Sequence, residues 1–101
     1  MKKEKFLFSA TVWLYPSETA AWHFVTVPKK ISTTITERFG KAKRGWGSLP
    51  VDVNIGETKW KTSIFPDSKT GTYILPLKAH VRRSEGIFKG DLVAISITLC
   101  P

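Results

Sequence analysis

The side chains of this chain best suited to acid–base or nucleophilic work are His23, His80, Asp52, Asp67 and Asp91. A nucleophilic triad needs a nucleophile, a base and an orienting acid within hydrogen-bond reach, and none of these five sits in a local pattern that supplies one. His23 stands in "AWHFVTV" on the same strand face as Val25 and Val27, which reads as a satisfied or rim histidine. His80 stands in the basic run "KAHVRR" and reads as solvated. No two carboxylates form a pair that could flank a glycosidic bond. No phosphate-cradling or dinucleotide glycine pattern is present. Two histidines, one cysteine and scattered acids do not make a metal-ligand set. The expectation is a protein that is not an enzyme, with no metal and no cofactor.

A second kind of chemistry is better represented: cations beside aromatic rings. Four tryptophans, Trp13, Trp22, Trp46 and Trp60, are many for 101 residues. Tryptophan lines ligand pockets, but in a small barrel it also plugs the interior. Lys59, Lys61 and Ser63 fall on one face of a strand and Trp60 on the other. A lysine rim beside tryptophan could hold an anionic or sugar-like ligand, so Trp22, Trp60, Lys59, Lys61 and Ser63 are the candidate ligand residues. A second set suits polyanions. "RFGKAKRGWG" carries Arg38, Lys41, Lys43, Arg44 and Trp46, and "KAHVRR" carries Lys78, Arg82 and Arg83. Phosphate binding needs such clustered cations, and aromatic rings add stacking. Glu37, Glu57 and Glu85 are interspersed among them, which dilutes the patch. The leading reading is a binding module for a small anionic or sugar-like ligand or a protein partner. The alternative is a nucleic-acid-binding barrel using residues 38–46 and 78–83.

Strands and turns must position these groups. Residues 6–15 alternate, with Phe6, Phe8, Ala10, Val12 and Leu14 on one face, so the apolar start is a strand rather than an export signal. "PSET" is a turn, and "AWHFVTV" is a second strand ended by Pro28. "KKISTTITERFG" spaces Ile31, Ile35 and Phe39 as one stripe of a short helix with Gly40 as its stop. The stretch 41–50 has no periodicity, and its segment 41–48 is expected to be mobile. "VDVNI", a turn at Gly56-Glu57 and "TKWKTSIF" form a hairpin. "PDSKTG" is a turn. A strand "TYIL", Pro76, a basic helix, Gly86, the turn "KGD" and a strand with Val93, Ile95, Ile97 and Leu99 inward complete the chain. The order ββαβ occurs twice, and Pro28 and Pro76 are expected to occupy matching places. The fold class is mainly β: a small closed or double-split barrel of about six to seven strands with two short helices, built on a ββαβ pseudo-repeat.

The segment "YILPLKAHVRRSEGIFKGDLVAISI" resembles the AbrB and MazE swapped-hairpin proteins, with Pro76, Arg82, Gly86, Gly90, Asp91, Val93 and Ile95 in matching places and extra residues between Pro76 and the helix glycine. Over nearly the whole chain, "FSATVW", "AWHFVTVP", "VDVNIGETKWKTSIFP", "YILPLKAHVRR" and "GIFKGDLVAISI" resemble, in order, the bacterial domain-of-unknown-function family 1905. The resemblance implies a small barrel of double-split type, related in shape to the swapped-hairpin barrels. It implies no activity.

Length and charge complete the reading. A chain of 101 residues is one domain, 1–101, able to bury about 65% of its unfolded surface without staples. Sixteen Lys and Arg against eight Asp and Glu give a net charge of +8, which favours soft association with polyanions without naming one. The lone Cys100 precludes an intrachain disulfide and fits a reducing compartment. No apolar run approaches the roughly 20 residues of a membrane helix. The expected setting is cytoplasmic, with no membrane association.

Overall fold

A computed structural model describes residues 3–16, 21–40 and 47–99. The strands are β1 (Glu4–Thr11), β2 (Trp13–Pro16), β3 (Ala21–Thr26), β4 (Leu49–Ile55), β5 (Thr58–Asp67), β6 (Thr72–Pro76) and β7 (Leu92–Leu99). Two helices, α1 (Lys29–Phe39) and α2 (Ala79–Glu85), follow β3 and β6. The order is therefore the expected one, with the first strand divided. Period-two patterning explains most of it: β4 alternates buried Leu49, Val51, Val53 and Ile55 with half-buried partners, as a strand with one core face must. The Ile31, Ile35, Phe39 stripe turns α1 onto the core. No helix of the described residues is long and apolar enough to cross a membrane.

The seven strands form one antiparallel sheet, in the order β1-β7-β4-β5-β6-β3-β2, curved as a half-barrel around a single apolar cluster. The expected closed barrel is not observed. The sheet ends at β1 and β2, and these are successive pieces of one stretch of chain, so they follow each other in line and cannot pair side by side. The break falls at Val12. Its N–H donates to the Asp91 carbonyl at 2.9 Å and its own carbonyl accepts from Gly90 N–H at 2.9 Å. The chain is thereby held to the turn before β7 while it changes ladder partner, from β7 on one side of Val12 to β3 on the other. β5 makes the same change without breaking: Leu49 to Ile55 of β4 pair with its first part, and Thr72 to Ile74 of β6 with its last.

The two ββαβ units meet through a reciprocal joint. Val25 pairs with Leu75 in the β3–β6 ladder. On one side Val27 N–H donates to the Tyr73 carbonyl at 2.8 Å; on the other Leu77 N–H donates to the His23 carbonyl at 2.9 Å. In this frame His23 matches Tyr73, Val27 matches Leu77, and Pro28 matches Lys78. The prolines do not match each other. Pro28 is the N-cap of α1, whereas Pro76 lies in β6, opposite Phe24 and two residues before the N-cap Lys78. Both caps are extended, with ψ of 147° and 155°. An extended cap accepts proline but does not require it, so the proline is free to sit on either side of the joint.

Ser32, fully buried, stabilises this joint from α1. Its Oγ donates to the Val27 carbonyl at 3.0 Å and accepts from Tyr73 N–H at 3.1 Å. Ser32→Ala leaves a buried N–H without its acceptor, so a loss of about 1–3 kcal/mol is expected, read as a lower denaturation midpoint at unchanged slope in urea. Gly56 holds φ at +56° in the β4–β5 turn, and a Cβ there would collide with the Glu85 carboxylate that accepts from Thr58 Oγ1 at 2.5 Å. Gly56→Ala is expected to cost a further ~1–3 kcal/mol through backbone strain and displacement of that carboxylate.

Candidate functional site

The joint between β3 and β6 is short. It runs from Phe24 to Thr26 and is extended by the Leu77–His23 bond. Residues 21 and 22 of β3 therefore pass beyond the end of β6 and, among the described residues, ladder only with β2 through Pro16↔Ala21 and Tyr15↔Trp22. Past Pro76 the chain leaves the sheet and enters α2. The divergence opens a pocket of about 600 Å³. Its walls are Trp22, Phe24, Phe65, Ile74 and Pro76; His23, Thr62, Lys78 and Arg82 supply its polar groups. That volume lies inside the range of about 300–1,000 Å³ typical of small-molecule sites.

Antiparallel partners share a face, and this fixes the aromatic wall. Trp13 pairs with Phe24 and their ring centroids lie 5.0 Å apart, while Trp13 Nε1 donates to Thr26 Oγ1 at 2.9 Å. Phe24 is thus supported from behind by a tryptophan whose own polar atom is satisfied. Phe65 stands opposite Ile74, and Phe24 opposite Pro76. The opposite faces of β3, β5 and β6 carry Val25, Ile64 and Leu75, all fully buried. Trp22 stays 56% exposed at the rim, a large apolar surface facing solvent next to a concavity.

The polar groups are arranged asymmetrically. Arg82, half-buried, donates from Nε to the Leu77 carbonyl at 3.2 Å, which fixes the guanidinium on the joint side of α2. Among the described residues no carboxylate lines the pocket to neutralise it. His23 Nδ1 is buried and has no hydrogen-bond partner among the described residues. Burial, and then the charge of Arg82, hold the imidazole below its ordinary pKa of 6.5, against a smaller opposing pull from the Ala21 carbonyl. His23 is therefore neutral at neutral pH.

The matching position in the other half shows what this joint looks like when it is filled. There Ser32 replaces Arg82, donating to the Val27 carbonyl as Arg82 donates to Leu77, and Tyr73 replaces His23. Ser32 and Tyr73 are both buried. One half closes the joint with a small hydroxyl and an aromatic ring. The other leaves it open and places a cation and an unpartnered imidazole there.

Of the ligand residues expected from sequence, only Trp22 lines this pocket. Lys59, Trp60 and Lys61 line a separate depression of about 480 Å³ with Lys5, Asp52 and Asn54, and Ser63 lines neither. Lys59 and Lys61 pair with Asn54 and Asp52 of β4, so an amide stands opposite one lysine and a carboxylate opposite the other. Trp60 packs against the core, with its Nε1 buried and unpartnered among the described residues. The polyanion set also divides. Lys78 and Arg82 do share one face and reach the apolar pocket, whereas Arg83 is exposed and outside it. Arg38 is ion-paired with Glu4. Lys41, Lys43, Arg44 and Trp46 lie outside the described residues, as does most of the segment expected to be mobile. His80 is exposed, as expected. Sequence reasoning missed Phe24, Phe65 and the role of His23, because their convergence depends on the β3–β6 and β5–β6 registers. The available signal was the exposed aromatic alternation of Trp22 and Phe24.

His23 links stability to pH with a definite sign. Its pKa is lower folded than unfolded, so its contribution is fully present above about 6.5 and is lost as pH falls through the folded value. Stability measured by urea denaturation is expected to decline on acidification from about pH 7 to about pH 5, and His23→Asn is expected to flatten that decline. An unchanged slope in the variant would assign the pH dependence to other groups.

A comparison with curated proteins returned no match. The family model described as "Domain of unknown function (DUF1905)" matches residues 8–97, a span that runs from the middle of β1 into β7 and includes every residue of the pocket. With nearly all of its length matched, the chain belongs to the DUF1905 family.

Proposed function

We propose that this chain is a cytoplasmic, non-enzymatic binding module that holds a small anionic ligand in the pocket between β3, β6 and α2. The observation that carries the reading is the contrast between the two joints: the same hydrogen-bond position is sealed by Ser32 in one half and occupied by Arg82, beside an open concavity, in the other. A fixed guanidinium without a carboxylate partner among the described residues, next to apolar walls, is suited to an anion that arrives from solution. Among the described residues, His23 is the one titratable acid–base group on the wall apart from the two cations, and no serine, cysteine or carboxylate lines the pocket with it. Such a set supports binding better than turnover. The fold reading that accompanies this is a double-split barrel, supported by the way β1 and β2 bridge the two ends of the sheet across Val12.

Arg82→Ser tests the proposal with a residue that the matching position already accommodates. Two-dimensional NMR titration with decanoate, 1-naphthoate and inorganic phosphate is expected to shift resonances of Trp22, His23 and Arg82 with at least one of the three. Arg82→Ser should weaken that binding about tenfold or more, the value of a charge-assisted hydrogen bond. If none of these anions shifts the pocket at millimolar concentration, the proposal fails. Binding to oligonucleotides through the exposed face of α2 would behave differently: Arg83→Ser would weaken it and salt would suppress it steeply, whereas the pocket reading expects Arg83→Ser to be silent.

A further inference from the structure

We infer that the ligand of this pocket is an amphipathic monoanion, with an apolar acyl or aryl body against Trp22, Phe24, Phe65 and Ile74 and a single acid group held by Arg82 and His23. This rests on the proposed function and narrows it. The pocket separates its polarity by element. The apolar wall comes from β3, β5 and β6, and both cations come from the α2 side, Lys78 at its N-cap and Arg82 in its last turn. A sugar would bury several hydroxyls against rings that cannot bond them, and each unpaired hydroxyl would cost free energy. Among the described residues only Thr62 and His23 offer polar side chains on the sheet side. A polyphosphate would need more than two cations and would gain nothing from the aromatic wall. An apolar body with one carboxylate-sized head matches both sides at once.

The His23 imidazole lines the pocket with Arg82 and gives binding a direction with pH. Among the described residues, Lys78 and Arg82 are the charged groups of the pocket, and both belong to the α2 side; β3, β5 and β6 contribute no charged side chain to it. In the free protein Arg82 disfavours the imidazolium. An anion placed between Arg82 and His23 offsets that repulsion and stabilises the imidazolium, so binding takes up a proton from solution and tightens as the pH is lowered.

Calorimetry on the full chain separates the alternatives. The probes are decanoate and 1-naphthoate, their neutral counterparts decanol and 1-naphthalenemethanol, and the bodyless anions acetate and inorganic phosphate. One or both of the first pair is expected to bind at least about tenfold more tightly than its neutral counterpart and than either bodyless anion; which of the two does so identifies an acyl or an aryl body. Its affinity is expected to rise severalfold from about pH 8 to about pH 6, and His23→Asn should abolish that rise while Arg82→Ser weakens binding at both pH values. Thermal unfolding of each variant distinguishes loss of the site from loss of the fold, and Lys78→Ser, at an exposed position, serves as a second probe of the head-group end. Phosphate or acetate binding as tightly as decanoate, or decanol binding as tightly as decanoate, would overturn the amphipathic assignment while leaving an anion or ligand site in place. Absence of binding by every anion would overturn the proposed function itself.

Discussion

Two backbone hydrogen bonds, Val27 N–H to Tyr73 and Leu77 N–H to His23, join the halves of this molecule. They flank the Val25–Leu75 pair, at which the β3–β6 ladder is only three residues long. So short a ladder adds little by its own bonds, about 0.5–1.5 kcal/mol net each, beside the longer β4–β5 and β1–β7 ladders that also tie the two units. Its strength comes from what lies behind it: Val25, Val27, Leu75 and Leu77, all buried, with Ile35 and Val81 from the helices that follow. The helices begin two residues beyond the joint, and they begin there because the chain must leave the sheet once its partner strand has run out. Strand crossing, helix start and pocket are therefore one constraint seen three times.

The two halves solve that constraint differently. A helix beginning beside a strand end leaves the carbonyl of the residue before its cap, Val27 or Leu77, in need of a donor. In both cases it comes from the side chain five residues on, Ser32 or Arg82. A serine is short enough to bond the carbonyl and still accept from Tyr73 N–H, so it draws α1 and β6 together. An arginine reaches the carbonyl with Nε and must leave the rest of its guanidinium elsewhere, which keeps α2 and β3 apart. The open pocket is the steric consequence of a longer side chain at one position of a repeated joint. Its charge is the chemical consequence.

Most of the architecture is legible in the sequence because it is local. The alternation of Val51, Val53 and Ile55, the Ile31–Ile35–Phe39 stripe and the glycine turns each declare themselves within about ten residues. The division of the first strand at Val12 does not, because the cause is a pair of bonds to Gly90 and Asp91 nearly eighty positions away. The site was legible only in its ingredients. Trp22, Lys78 and Arg82 are visible as an aromatic and two cations, but the sequence links Trp22 to the lysines of β5 and the cations to a polyanion surface. Register decides otherwise. Lys59 and Lys61 pair toward Asn54 and Asp52, while Phe65, on the same strand, pairs toward Ile74 and the pocket. A few residues along β5 exchange one neighbouring strand for another, and nothing within the strand announces it.

Net charge is a poor guide to the partner here for a related reason: several of the cations are committed to the fold. Lys29 donates from Nζ to the carbonyls of Thr70 at 3.1 Å and Gly71 at 3.3 Å, across the β5–β6 turn. Arg38 pairs with Glu4 and so ties the end of α1 to the start of β1. Exposed contacts of this kind add little stability, but they tie each cation to one place on the fold. Arg82 belongs to this fold-bound group by its Nε and to the pocket by the rest of its guanidinium. A cation with one donor spent on the backbone has lost most of its freedom before any ligand arrives, so little further order is needed to bind one. That preorganisation, rather than the total of +8, is what distinguishes Arg82 from the exposed Arg83 next to it.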